Sequence, residues 1–118
     1  MTLLIAEDSL KMRKLLKETV GDYFTEIFEC ENGIEAFEIY RKNKPDWTLM
    51  DIQMPIMDGI TATKKITGIN PFAKVIIVTN YDSISLRKGA KDAGAIRYIM
   101  KENLGEINDI FSGKNNII

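Results

Sequence analysis

The sequence predicts an α/β three-layer sandwich: five parallel β-strands in one sheet, with five helices shared between its two faces. Two observations carry that reading. Five short apolar runs, at residues 3–6, 27–30, 47–50, 75–78 and 96–100, start roughly 20 to 28 residues apart, which leaves room for one helix and two loops in each gap. The runs also lack strict apolar–polar alternation. Val75-Ile76-Ile77-Val78 is continuous, as suits a strand covered on both faces.

The gaps between the runs read as helices. In the first, Ser9 stands where an N-cap is needed, and Met12, Leu15, Leu16, Thr19, Tyr23 and Phe24 keep a 3.6-residue period. Lys11, Arg13, Lys14 and Lys17 fall between them and read as a solvated face, with partner docking as the alternative. The second gap places Ala36, Phe37 and Tyr40 on one face and stops near Asn43 and Pro45. The third runs from about Gly59 to Ile69, with Ile60 and Ile66 inward and Asn70-Pro71 as the stop. The fourth, from about Ser83 to Ala93, has only Ile84 and Leu86 as sizeable apolar groups before a Gly94 stop. Such a helix buries little area and is expected to be loosely held. The last, from about Leu104 to Ser112, aligns Leu104, Ile107, Ile110 and Phe111. Cys30 reads as a small buried hydrophobe on strand two, and Trp47 as packing at the start of strand three.

For this element count, right-handed crossovers favour strand order 2-1-3-4-5, the flavodoxin-like arrangement. Ligands of such sheets bind outside the carboxyl ends of the strands, at the switch point between strands one and three.

Composition narrows the chemistry. A chain of 118 residues suits one domain, and its single cysteine cannot form an internal disulfide. With no histidine, no Ser-His-Asp triad, Cys-His dyad or HExxH zinc site can be built. A net charge of −1 gives no general pull toward nucleic acid or anionic membrane. The apolar runs fall well short of the roughly 20 residues that span a bilayer. A cytoplasmic location is expected.

The first polar residues after the runs are Glu7 and Asp8, Asp51, Thr79 and Asn80, and Lys101. In order 2-1-3-4-5 all of them lie on one rim. Each has an ordinary reading alone: a solvated loop start, a turn residue, a strand end, a surface lysine. Together, three carboxylates beside a hydroxyl and a lysine would repel one another unless a hard cation joined them. Mg²⁺ binds through one or two carboxylates and accepts phosphate oxygens, so the cluster suggests a metal site that receives a phosphoryl group.

These residues resemble the receiver domain of two-component response regulators, and the resemblance covers essentially the whole chain. It rests on Ile5-Ala6-Glu7-Asp8, the stretch Leu49-Met50-Asp51-Ile52-Gln53-Met54-Pro55-Ile56-Met57-Asp58-Gly59, the Val78-Thr79 strand end and Tyr98-Ile99-Met100-Lys101. The resemblance implies that Asp51 accepts a phosphoryl group from a phosphohistidine of a partner histidine kinase or phosphotransfer protein. It implies Mg²⁺ held by Asp8, Asp51 and the main-chain carbonyl of Gln53, with Glu7 acting through a water. Thr79 would bind a phosphoryl oxygen, Lys101 would pair with the phosphoryl group, and Tyr98 would be an aromatic switch that turns inward. Helix four, strand five and helix five would form the output face, with homodimerisation on phosphorylation as one use of it. The chain would be a signalling switch rather than an enzyme, with residues 1–113 as the receiver domain and 114–118 as a polar tail or the start of a linker.

Three departures stand out. Asn80 follows Thr79 where the family commonly has Ala or Gly. Glu102 follows Lys101 where it commonly has Pro, and Lys101-Glu102-Asn103 resembles receivers that drive helix-turn-helix output domains of the nitrate-response type. Gln53 and Tyr81 occupy positions that tune hydrolysis of the phosphate in the family. Such a receiver stands alone or forms part of a longer DNA-binding regulator. The alternative function is an adaptor that binds partners without being phosphorylated.

Overall fold

The computed structural model describes residues 1–113; the predicted tail at 114–118 lies outside them. The strands are β1 (Thr2–Ala6), β2 (Glu26–Cys30), β3 (Trp47–Met50), β4 (Val75–Thr79) and β5 (Arg97–Met100). They alternate with α1 (Leu10–Val20), α2 (Gly33–Asn43), α3 (Gly59–Ile69), α4 (Ile84–Ala93) and α5 (Gly105–Ser112). The sheet is parallel throughout, in order β2-β1-β3-β4-β5, as expected from the run spacing.

The period-2 geometry of strands divides the core. Leu4, Ala6, Met50, Val75 and Ile77 point to the layer made by α2, α3 and α4. Leu3, Ile5, Leu49, Ile76 and Val78 point the other way, to Leu16 and Val20 of α1 and Ile107 of α5. Burying each of these Val, Leu and Ile side chains contributes about 1.5–3 kcal/mol. That is why the central runs are unbroken, whereas the edge strands β2 and β5 keep exposed positions.

Side chains set the helix starts. The oxygens of Ser9, Asn32, Asp58 and Ser83 accept hydrogen bonds from the backbone N–H groups of Met12, Glu35, Thr61 and Leu86. Trp47 packs edge-on against Phe111, with ring centroids 4.9 Å apart, at the start of β3. Cys30 is buried, and desolvation, aided by the Glu35 charge, pushes its thiol up to about 12, so it behaves as a hydrophobe. Among the described residues no helix is long and apolar enough to cross a membrane.

Two expectations need correction and a third is sharpened. First, α1 stops at Val20, and a 3-10 turn at Gly21–Tyr23 carries Tyr23 and Phe24 beyond it. Leu15 is exposed, so the inner stripe of α1 is narrower than its apolar periodicity implied. Second, Arg13 does not belong to a solvated face. It is buried, at 8% exposure, because Glu29 on β2, Glu31 just beyond it and a main-chain carbonyl meet its guanidinium. Third, Ile84 stands 89% exposed, so α4 buries only Ala90 and Ala93. The helix expected to be weakly packed is weaker still.

Candidate functional site

The site lies where β1 and β3 end side by side. The N–H of Glu7 donates to the Cys30 carbonyl at 3.0 Å, and that of Asp51 to the Ala6 carbonyl at 2.9 Å. Each acid therefore sits one ladder step past its strand, on the rim where the chain switches direction across the sheet. Both carboxylates are buried, Glu7 at 2% and Asp51 at 6% exposure, while Asp8 is exposed. One carboxylate oxygen from each of the three lies within 4.8 Å of the others.

Lys101, from the 3-10 turn that follows β5, enters this cluster. Its Nζ lies 2.7 Å from Glu7 Oε1 and 3.4 Å from Asp51 Oδ1. Burial disfavours the ammonium, but the hydrogen bond to Glu7 and the charge of Asp51 outweigh it and hold the lysine above its usual range. Asp51 is raised as well, above a free carboxylate. Desolvation and then the Glu7 charge raise it to about 6, against the opposing pull of Lys101 and the N–H of Ile52 at 2.9 Å. The arrangement is thus short of positive charge, and its donors are all oxygens. That donor set fits a hard divalent cation.

The loop after β3 is fitted closely around Asp51. An added Cβ at Gly59 would lie 1.8 Å from the Asp51 carbonyl oxygen, so only glycine lets α3 start there. The Gly59 N–H donates to the Ile52 carbonyl, and the Gly33 N–H to the Met57 carbonyl, pinning the loop from both sides. Between them, Ile56 has φ +71°, and the N–H of Met57 donates to the Pro55 carbonyl at 2.7 Å. This is a γ-turn, strained for a β-branched residue and sustained by the pins around it. Gln53 sits on the loop and is exposed.

Thr79 ends β4 fully buried, and its Oγ1 accepts the N–H of Tyr81 at 3.1 Å. Tyr98, on β5, lies away from the carboxylates. Its hydroxyl donates to the Tyr81 carbonyl at 2.6 Å, and the Arg87 guanidinium rests 4.6 Å from its ring centre. Arg87 is in turn bonded to Asp82 at 2.7 Å. The residues read from sequence therefore form a tight group of Glu7, Asp8, Asp51 and Lys101, with Thr79 on the same rim. Tyr98 reaches the group's surroundings through the loop that follows Thr79.

Sequence reasoning missed two contributors. The Ser9 N–H donates to Glu7 Oε2 at 3.0 Å, and Arg13 Nη1 donates to the Glu7 carbonyl at 2.7 Å. A signal for Arg13 was present: it shares its i, i+3, i+7 stripe with the buried Leu16 and Val20.

Comparison with known proteins agrees with this fold. The response regulator receiver domain family matches residues 3–111. The chemotaxis protein CheY of Halobacterium salinarum is 43% identical over 98 residues, 83% of this chain and 82% of its own. Sporulation initiation phosphotransferase F of Bacillus subtilis is 33% identical, covering 91% of this chain and 87% of its own. Among solved structures, the CheX–CheY–BeF3–Mg complex from Borrelia burgdorferi superimposes with TM-score 0.86 at 26% identity, over 99% of this chain and 90% of that one. A LuxR-family DNA-binding response regulator from Staphylococcus aureus superimposes with TM-score 0.84 at 26% identity, over 98% of each.

Proposed function

The chain belongs to the response regulator receiver domain family, and we propose that it is a phosphorylation-activated signalling switch whose phosphoryl acceptor is Asp51. The observation that carries this reading is the buried Glu7–Asp51 pair bridged by Lys101, with Asp8 within reach, at the carboxyl edge of the sheet.

In the proposed step an Asp51 carboxylate oxygen attacks phosphorus on a partner's phosphohistidine. The O–P bond forms, the N–P bond breaks, and the imidazole leaves with the bonding pair. With its pKa at about 6, Asp51 is largely ionised, and so nucleophilic, at neutral pH. Asp8, Asp51 and the Gln53 main-chain carbonyl would hold Mg²⁺, with Glu7 acting through a water. Bound there, Mg²⁺ supplies positive charge to the phosphoryl oxygens. Lys101 would swing its ammonium from Glu7 to the phosphoryl group, and the Thr79 hydroxyl would donate to one of its oxygens. Moving Thr79 would break the bond it accepts from Tyr81, whose carbonyl holds Tyr98. The α4–β5–α5 face, with its thinly anchored α4, is the element such a change would bias.

Residues 1–113 form the proposed receiver unit, acting in the cytoplasm on a signal from a histidine kinase or phosphotransfer protein. Output would run through this face to a protein partner, to a second phosphorylated copy or to a DNA-binding module of a longer regulator. The likeness to the LuxR-family regulator supports the last of these. The test is incubation with Mg²⁺ and acetyl phosphate, read by intact mass. A single phosphoryl addition that is lost in Asp51→Asn and on chelation supports the switch. No addition with any donor would leave the unphosphorylated adaptor as the better reading.

A further inference from the structure

We infer that Arg13 is a positioning residue for the cation site: it holds the Glu7–Asp8 peptide plane and so aims the Asp8 carboxylate. The inference rests on the reading of Glu7, Asp8 and Asp51 as a Mg²⁺ site.

Among the described residues, the Asp8 side chain takes no hydrogen bond or ion pair. It is exposed, on a two-residue turn between β1 and the N-cap of α1. Nothing but its backbone directs it. The peptide group is planar, so fixing a carbonyl also fixes the N–H across the same bond. On the N-terminal side of Asp8, Arg13 Nη1 donates to the Glu7 carbonyl at 2.7 Å. On the C-terminal side, the Ser9 N–H donates to Glu7 Oε2 at 3.0 Å. Both peptide planes that flank the Asp8 Cα are therefore pinned, and one of the pins is Arg13.

Arg13 can serve as a fixed point because it is itself immobilised. Its Nε lies 3.2 Å from Glu29 Oε1, and its Nη2 3.6 Å from Glu31 Oε1. Lys17 braces Glu29 at 3.0 Å from the solvent side. The guanidinium fork thus spans the end of β2 and the end of β1, and it uses separate nitrogens for each. Burying a guanidinium carries a desolvation cost that a leucine or methionine on the same stripe would avoid. Its orientation toward a main-chain carbonyl beside the candidate ligand accounts for having a cation there.

The test uses the full chain and Mg²⁺ alone, titrated by calorimetry and by the backbone amide shifts of Asp8 and Ser9. Arg13→Met keeps the apolar stem and removes every donor. Arg13→Lys keeps one donor for the Glu7 carbonyl and loses the fork. Outer contacts of this kind typically change metal affinity about 10–100-fold, so Arg13→Met should weaken Mg²⁺ binding by about 10-fold, and Arg13→Lys should restore it to within about 3-fold of the wild type. A merely structural arginine would lower the urea midpoint in Arg13→Met and leave Mg²⁺ affinity within about twofold of wild type, which would overturn the inference. So would an equal loss in both variants. If Arg13→Met fails to fold, Arg13→Gln, neutral and shorter, takes its place: a loss of about 10-fold supports the clamp, and affinity within about twofold of wild type overturns it. Failure of the wild type to bind Mg²⁺ would overturn the site itself, a distinct result.

Discussion

Replacing Asp51 with Asn should stabilise the protein at neutral pH while abolishing its phosphorylation. The carboxyl is raised from 3.8 to about 6 by desolvation and by the Glu7 charge. At about 1.4 kcal/mol per pH unit, ionising it inside the fold costs about 3 kcal/mol more than in the unfolded chain. The sign follows from which state holds the proton. Below about pH 4 the side chain is neutral in both states, and the stabilisation from holding the proton is fully present. As pH rises toward and through about 6, the unfolded chain releases its proton first, and that stabilisation is lost. Asn is neutral throughout, and its Oδ1 can accept the Ile52 N–H in the same place. Allowing about 1 kcal/mol for an amide NH₂ without a good partner, Asp51→Asn should gain about 2 kcal/mol at pH 7.5 and little at pH 4. Urea denaturation reads this as a midpoint shift of about 1–2 M at pH 7.5, given slopes of about 1–3 kcal/mol per M. Saturating Mg²⁺ should shrink the difference by stabilising the wild type. A wild type more stable than the variant at pH 7.5 without divalent cation, or a difference independent of pH, would refute the reasoning.

The remaining predictions concern neighbours of this carboxylate. Lys101→Met leaves the Glu7 and Asp51 carboxylates buried without their cation; it should cost about 3–5 kcal/mol in urea titrations without metal, with a part recovered by Mg²⁺. Carboxyl carbon NMR should also show Asp51 titrating still higher in that variant. Gly59→Ala drives a methyl into the Asp51 carbonyl; it should cost at least about 3 kcal/mol and lower the melting temperature by about 10 °C or more. Gly68→Ala, in the last turn of the same helix with open space around it, should instead gain about 0.5–1 kcal/mol, and equal shifts in the two variants would contradict the packing argument. Arg87→Ala removes the guanidinium from the Tyr98 ring; ring-proton NMR should show Tyr98 shifted and averaging between rotamers, and unchanged signals would show that Arg87 does not hold it.

Much of the site was legible because strand periodicity is local. Runs such as 3–6 and 75–78 state where a buried strand ends, and the first polar residues after them face the rim. Glu7, Asp51, Thr79 and Lys101 were found in this way. Arg13 was read as solvated because it sits among Lys11, Lys14 and Lys17 and carries the same charge. Its burial depends on Glu29 and Glu31, sixteen or more residues away, which reach it only through parallel pairing of β1 with β2. The end of α1 was misplaced for a related reason. Tyr23 and Phe24 continue an apolar period but pack against Phe111 from outside the helix. The weak hold on α4 was legible from its small residues, whereas the outward turn of Ile84 was not.

By itself the sequence determined the architecture, the strand order and the rim on which polar chemistry gathers, because these follow from residue spacing and the handedness of the chain. Tertiary structure alone decided how the charges are shared. It placed one lysine between two buried carboxylates, raised Asp51 toward neutrality, closed Arg13 over a main-chain carbonyl and tied Tyr98 to the loop after Thr79. Electrostatic energies depend on distances of a few ångströms and on burial, and neither is defined until distant segments meet.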